Sequence, residues 1–282
     1  MRPSATAFRS AVIGDAAAAL AEAGVDSAQH EAEVLAAHVL GVGRSELASA
    51  PMFTGQQFET FSALVRRRTT REPLQYLVGS APFRHLDVLV GPGAFIPRPE
   101  TELVAGWAID TARTIDAPVV VDLCSGPGTI ALAIAQEAPN ARVHAVEIDA
   151  DAAAWAARNI AATGLQVQLH VADVVDALTS LNGDVDVVVA NPPYLTRGTI
   201  DQPEVRDFEP DIALYDGEGL GVIDAVVHVA TRLLRPRGHV VVEHGDDQGG
   251  AVTGLLAAAG FTDVADHRDL TGRDRFSTGR AR

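Results

Sequence analysis

The stretch Val119-Val-Val-Asp-Leu-Cys-Ser-Gly-Pro-Gly-Thr129 decides how this chain folds. A continuous run of β-branched and apolar residues reads as a buried strand, and it breaks into a glycine pair with a helix-compatible stretch behind it. Gly126 and Gly128 at such a turn let a ligand approach the backbone, and the start of the following helix offers free N–H groups. The same alternation recurs downstream. Strand-like runs at Val143–Val146, Val167–Val171, Val185–Ala190 and His239–Glu243 alternate with helical stretches near 99–114, 128–138, 149–163, 219–235 and 246–259. Val-rich strands separated by helices predict a parallel sheet covered on both faces, so a doubly wound α/β domain is expected from residue 99 onward.

Upstream of it the texture is helical. Val12, Ala16, Leu20 and then Val34, Leu35, Val39, Leu40 recur at helical spacing, and Gly24 and Gly41 stand where helices should stop. Asp26 with Gln29, and Thr54 with Gln57, have the spacing of capping boxes. Between Pro73 and Pro99 the prolines and glycines forbid a long helix, and Phe83–Val90 alternates enough for a short hairpin. The expected organisation is a helical domain at 1–71, a linker with a β-hairpin at 72–98 and the α/β domain at 99–282.

The 282 residues carry 22 basic and 37 acidic side chains, a net charge of −15, and every basic one is arginine. Without lysine there is no Walker A phosphate loop and no Schiff-base chemistry. One cysteine, Cys124, allows neither an internal disulfide nor a multi-cysteine metal site, and nine scattered histidines give no His-x-His or His-x-x-x-His pair, so no metal is expected. No apolar run approaches the ~20 residues of a membrane helix and no signal-peptide core is evident, so the cytoplasm is the expected compartment. Residues 1–90 hold 8 arginines and 9 acids, whereas 91–282 hold 14 and 28. The acidic surplus argues against direct binding to a nucleic-acid backbone.

Chemistry-bearing residues gather at the predicted strand ends. Glu147 ends the second strand about 20 residues after the glycines, where an acid takes ribose hydroxyls. Asp173 and Val174 follow the third strand, placed to flank an adenine. The third glycine of a dinucleotide fingerprint is replaced by Ala131, which favours a nucleoside without pyrophosphate, with S-adenosylmethionine the leading candidate. The fourth strand ends in Asn191-Pro192-Pro193-Tyr194. The Asn191 side-chain oxygen and the Pro192 carbonyl can accept both hydrogens of a planar NH2 group, with Tyr194 on its flat face.

Asn-Pro-Pro-Tyr is the mark of methyltransferases acting on planar nitrogens. The whole chain resembles the protein-(glutamine-N5) methyltransferases that modify peptide chain release factors, the PrmC or HemK family. The resemblance rests on His30–His38, Arg71–Gly79, Phe95-Ile-Pro-Arg-Pro-Glu-Thr-Glu102, Phe208–Leu214, Gly217-Glu-Gly219, Val242–Gly245 and Asp269–Arg275. It implies a class I S-adenosylmethionine-dependent fold, a Rossmann-like seven-stranded mixed sheet behind a small helical domain that docks the release factor. It also implies S-adenosylhomocysteine as the coproduct. By position, Cys124, Ser125, Gly126, Pro127 and Gly128 form the cofactor loop, with Glu147, Asp173, Val174 and Asn191 as further cofactor neighbours. Asn191, Pro192, Pro193 and Tyr194 hold the glutamine of a Gly-Gly-Gln loop, with Asn191, Pro192 and Tyr194 as the catalytic set. Cys124 departs from a common glycine, and Glu147 from the more usual aspartate. An adenine-N6 methyltransferase acting on DNA or RNA is the alternative, since it uses the same four residues, but it needs a basic channel. The basic cluster Arg66, Arg67, Arg68 and Arg71 reads either as a solvated helix end, favoured by the helix dipole, or as a contact for the release factor. Nothing in the sequence demands more than a monomer.

Overall fold

Leu20, Leu35 and Phe61, all nearly inaccessible to solvent, meet in the helical part of the chain because each sits on the apolar stripe of a different helix. The computed structural model describes residues 5–217 and 219–282. Contacts divide the chain into two units, Met1–Ser80 with Asp201–Phe208, and Ala81–Ile200 with Glu209–Arg282.

The first unit contains α1 (Ala5–Glu22), α2 (Ala28–Leu40), α3 (Gly55–Thr69) and the short α4 (Leu74–Val78). The capping box at Thr54 and Gln57 forms, each backbone N–H meeting the other residue's side chain. The box at Asp26 does not. Ser27 is the N-cap of α2, without a side-chain cap, and the Gln29 side chain instead donates to Glu33. Gly41 ends α2 in the left-handed conformation at φ 68°.

The second unit opens with a hairpin, β1 (Ser80–Phe83) and β2 (Leu86–Leu89), one turn earlier than the alternation from Phe83 suggested. Then follow α5 (Thr101–Arg113), β3 (Val119–Leu123), α6 (Thr129–Glu137), β4 (Arg142–Glu147), α7 (Ala150–Thr163), β5 (Val167–Val171) and β6 (Val185–Ala190). The chain passes through α8 (Pro203–Phe208), which belongs to the first unit, and returns through α9 (Asp211–Leu214), α10 (Gly221–Leu233), β7 (Leu234–Glu243), α11 (Gly249–Ala258), β8 (Thr262–Arg268) and β9 (Asp274–Arg280).

These strands make a seven-stranded mixed sheet in the order β5-β4-β3-β6-β7-β9-β8, parallel except for β9. This is the class I methyltransferase fold. Strand order reverses between β3 and β6, and ligands bind open α/β sheets at that switch point, beyond the strand carboxyl ends. The sequence reading began β7 only at His239. The strand in fact starts at Leu234 and carries an irregularity through Pro236–Gly238, where a Cβ on Gly238 would lie 3.0 Å from the Arg235 carbonyl. Those residues read as a turn because they are a bulge. Among the described residues no helix is long and apolar enough to cross a membrane.

Candidate active site

A cavity of about 420 Å³ opens in the second unit, over the carboxyl ends of β3, β4 and β6. Its wall includes Cys124, Ser125, Gly126, Pro127, Glu147, Asp173, Val174 and all of Asn191 to Tyr194. Of the sequence-predicted residues only Gly128 is off the wall. It sits at the N-cap of α6 with φ 83°, and a Cβ there would meet Ala156 at 3.4 Å. Its glycine serves the turn and the packing of α6 against α7.

The loop between β3 and α6 is held by Glu147. One carboxylate oxygen accepts the Gly126 N–H at 2.7 Å and the other the Asp149 N–H at 2.8 Å. Glu147 therefore ties the first strand–helix turn to the second, and burial pushes its pKa up despite those two bonds. A carboxylate has about four lone-pair positions, so two remain for ligand hydroxyls. Asp149 in turn caps α7, accepting from the Asp151 and Ala152 N–H groups.

Cys124 adopts φ 59°, the left-handed region that explains why a glycine is common there. Its thiol is pushed far above its ordinary pKa, first by burial and then by Glu147, Asp122, Asp173 and Asp216. Such a thiol is no nucleophile. Glu147, Asp173 and Asp216 stand on the cavity wall and give it a negative field suited to a cationic ligand, whereas burial pushes the pKa of Asp122, behind the wall, well up.

Two hydroxyls on the wall, Ser125 Oγ and Thr129 Oγ1, are buried without a hydrogen-bond partner. Orphaned buried donors are costly, and a polar ligand in the cavity would satisfy them. Together with the free Glu147 lone pairs and the acidic field, the donor set fits a nucleoside carrying a positive charge.

Asn191 to Tyr194 form the other side. The Asn191 amide nitrogen donates to Thr101 Oγ1 at 3.2 Å, and the Tyr194 hydroxyl donates to Glu243 Oε1 at 3.4 Å. The Tyr194 carbonyl accepts from Gln248 Nε2 at 3.1 Å. Past the motif, Leu195 pairs with Tyr215, and its carbonyl accepts the Asp216 N–H. That pairing brings Asp216 to the cavity, where its carboxylate accepts the Val222 N–H at 2.8 Å. Sequence reasoning missed Thr101, Asp216 and Glu243. Thr101 lay in the quoted Phe95–Glu102 motif, and that membership was its only signal. Within the same motif Arg98 pairs with the buried Glu209 of the Phe208–Leu214 motif. Glu218, in the Gly217–Gly219 motif, lies outside the described residues.

Comparison with known proteins identifies the family. The family model described as the PrmC N-terminal domain matches residues 11–79, and that of the methyltransferase small domain matches residues 109–208. The release factor glutamine methyltransferase of Streptomyces coelicolor is 49% identical over 278 residues, 96% of this chain and 97% of the relative. A 4-amino-L-phenylalanine/4-methylamino-L-phenylalanine methyltransferase of Streptomyces pristinaespiralis is 40% identical over 257 residues, 88% of this chain and 87% of the relative. Among solved structures, the T. thermophilus 16S rRNA N2 G1207 methyltransferase shares the fold with a TM-score of 0.53 at 23% identity, covering 72% of this chain and 50% of that one. With a near-complete match at such identity, this chain belongs to the release factor glutamine methyltransferase family.

Proposed function

We infer that this chain transfers the methyl group of S-adenosylmethionine to the side-chain amide nitrogen of the glutamine in the Gly-Gly-Gln motif of peptide chain release factors. The observation that carries the reading is a single cavity holding the glycine loop and Glu147 on one side and Asn191 to Tyr194 on the other. The cofactor supplies an electrophilic methyl on a sulfonium.

Glu147 would accept the ribose hydroxyls, the backbone of Cys124 to Gly126 with the Ser125 hydroxyl would face the amino-acid end, and Asp173 and Val174 would flank the adenine. An amide nitrogen is a weak nucleophile because its lone pair is delocalised into the carbonyl. Asn191 Oδ1 and the Pro192 carbonyl accept its two N–H bonds, which localises that pair as the nitrogen becomes tetrahedral. Tyr194 packs on the flat face and Pro193 stiffens the turn. Holding the nitrogen in line by these acceptors would supply much of the rate. The product nitrogen is strongly acidic until it loses its extra proton, so no tuned base is required. The helical unit docks the body of the release factor, and the enzyme acts as a monomer.

An arylamine is a second acceptor to weigh, because a relative at 40% identity is named for 4-amino-L-phenylalanine. The deciding experiment offers the full chain, with labelled cofactor, a release factor, 4-amino-L-phenylalanine and double-stranded DNA in separate reactions. Methylation of the release factor at its Gly-Gly-Gln glutamine is the expected result. Label appearing only on the free amine or only on DNA overturns the reading.

A further inference from the structure

An amide side chain has two unlike ends, and only one of them suits the acceptor nitrogen. Asn191 must present its oxygen to a substrate NH2, because its own NH2 would set donor against donor. Its Nδ2 is instead turned to Thr101 Oγ1, 3.2 Å away at the start of α5. A hydroxyl can accept or donate, so its other neighbour decides which way the pair is polarised. That neighbour is Glu243, at the end of β7 and 1% exposed. Glu243 acts on Thr101 electrostatically and receives the Tyr194 hydroxyl, while its Oε2 is buried without a partner. An ionised carboxylate only accepts. A Thr101 proton turned toward that acceptor leaves lone pairs alone for Asn191.

We propose that Thr101, polarised by Glu243, is a positioning residue that fixes the Asn191 amide with its oxygen toward the acceptor nitrogen. This rests on the reading of Asn191 as the acceptor for the glutamine NH2, and it gives the Phe95–Glu102 motif a task in the reaction.

The device depends on the charge of Glu243. Burial raises its pKa to about 7, against lowering by the Thr101 hydroxyl, by Arg275 on β9 and by the Tyr194 hydroxyl, with Glu100 raising it further. Above that pH Glu243 is an acceptor and the Asn191 amide has one orientation. Below it the protonated acid can donate to Thr101, which frees the Thr101 proton for Asn191 Oδ1 and lets the amide turn over.

The test follows the side-chain NH2 signals of Asn191 by NMR in the full chain labelled with 15N-asparagine, between pH 5 and 9. Assignment comes from the signal lost in Asn191→Asp. The wild-type signals should shift with a midpoint near 7. Thr101→Val and Glu243→Gln should abolish that midpoint, and Thr101→Ser should keep it. In parallel, single-turnover transfer to a release factor should fall roughly 10²-fold in Thr101→Val, with cofactor affinity and circular dichroism unchanged, and recover in Thr101→Ser. Asn191 signals with the same midpoint in Thr101→Val, or a wild-type rate in that variant, overturn the proposal. If the NMR coupling holds while the wild type leaves release factors unmethylated, the orienting network stands and the acceptor reading fails.

Discussion

Asn191 offers an incoming nitrogen one side-chain oxygen, and truncating it to alanine leaves Glu147 and the glycine loop in place. Loss of a directed hydrogen bond at a reacting centre typically costs ~10²–10³ in rate. Asn191→Ala should therefore lose turnover by about that factor in a single-turnover assay, while calorimetry finds cofactor affinity nearly unchanged. Equal loss of both would assign the residue to cofactor binding alone. Cys124 poses the opposite case, a side chain that its backbone does not favour. A non-glycine residue in the left-handed region costs roughly 1–2 kcal/mol, part of which a glycine returns to the larger freedom of its unfolded chain. Cys124→Gly should raise the denaturation midpoint by up to ~1 kcal/mol of stability, and a lowered midpoint would show that the thiol's packing outweighs its strain. Residues of this kind were legible because they stand at strand ends that the Val-rich runs locate. Thr101 was not, because its importance comes from a hydrogen bond to a residue 90 positions away.

At the scale of elements, buried parallel strands announce themselves and exposed antiparallel ones do not. Val119–Leu123 and Val185–Ala190 are buried at every position, so apolarity alone marks them. Thr262–Arg268 has no buried position, and its polar residues conceal a strand that only pairing with β9 creates. The short α8 was equally invisible, yet it explains the arginine cluster. Arg68, buried at the end of α3, pairs with both Glu31 and Glu204, and Arg71 pairs with Glu204 as well. Arg67 is exposed but paired with Glu72, and Arg66 is exposed as well. Arg68 and Arg71 thus form an internal clasp, while the other two face outward. Burial works to raise the Glu204 pKa, but hydrogen bonds from Arg71 and Arg68 outweigh it and hold the group at about 2. Removing one partner of a largely buried pair leaves a stranded charge, and Glu204→Ala should destabilise the protein by up to ~3 kcal/mol near neutral pH, Glu31 still partly serving Arg68. A depressed carboxylate pKa contributes stability above its unfolded value and loses it on acidification. The gap between wild type and variant, read by urea denaturation, should therefore close as pH falls from 4.5 toward about 2.

Across the whole molecule the chain does not run through one unit and then the other. Asp201–Phe208 leaves the methyltransferase unit shortly after Tyr194 and rejoins it shortly before Asp216. A truncation of residues 1–70 should keep cofactor binding, because the cavity wall lies entirely in the second unit, yet lose methylation of an intact release factor. It also deprives α8 of Arg68. Trypsin should then cut the truncated chain after Arg206 faster than it cuts the full-length protein there. Equal cleavage of both would mean that the clasp does not hold the segment. Sequence texture placed one seam in the 72–98 linker, and no composition change betrays the second crossing, because eight residues are too few to alter it.

That second crossing bears on how such enzymes can be recombined. An amino-terminal domain joined at one seam can be exchanged by a single splice, as a cassette. Here the helical unit takes one of its own helices, and the carboxylate that Arg68 and Arg71 share, from a point more than a hundred residues downstream. A chimera that transplants residues 1–80 from a relative inherits foreign partners for Glu204 unless 201–208 travels with them. The two segments form one heritable block despite their distance along the gene, so a change at Arg68 in one lineage constrains which residue its position 204 can carry.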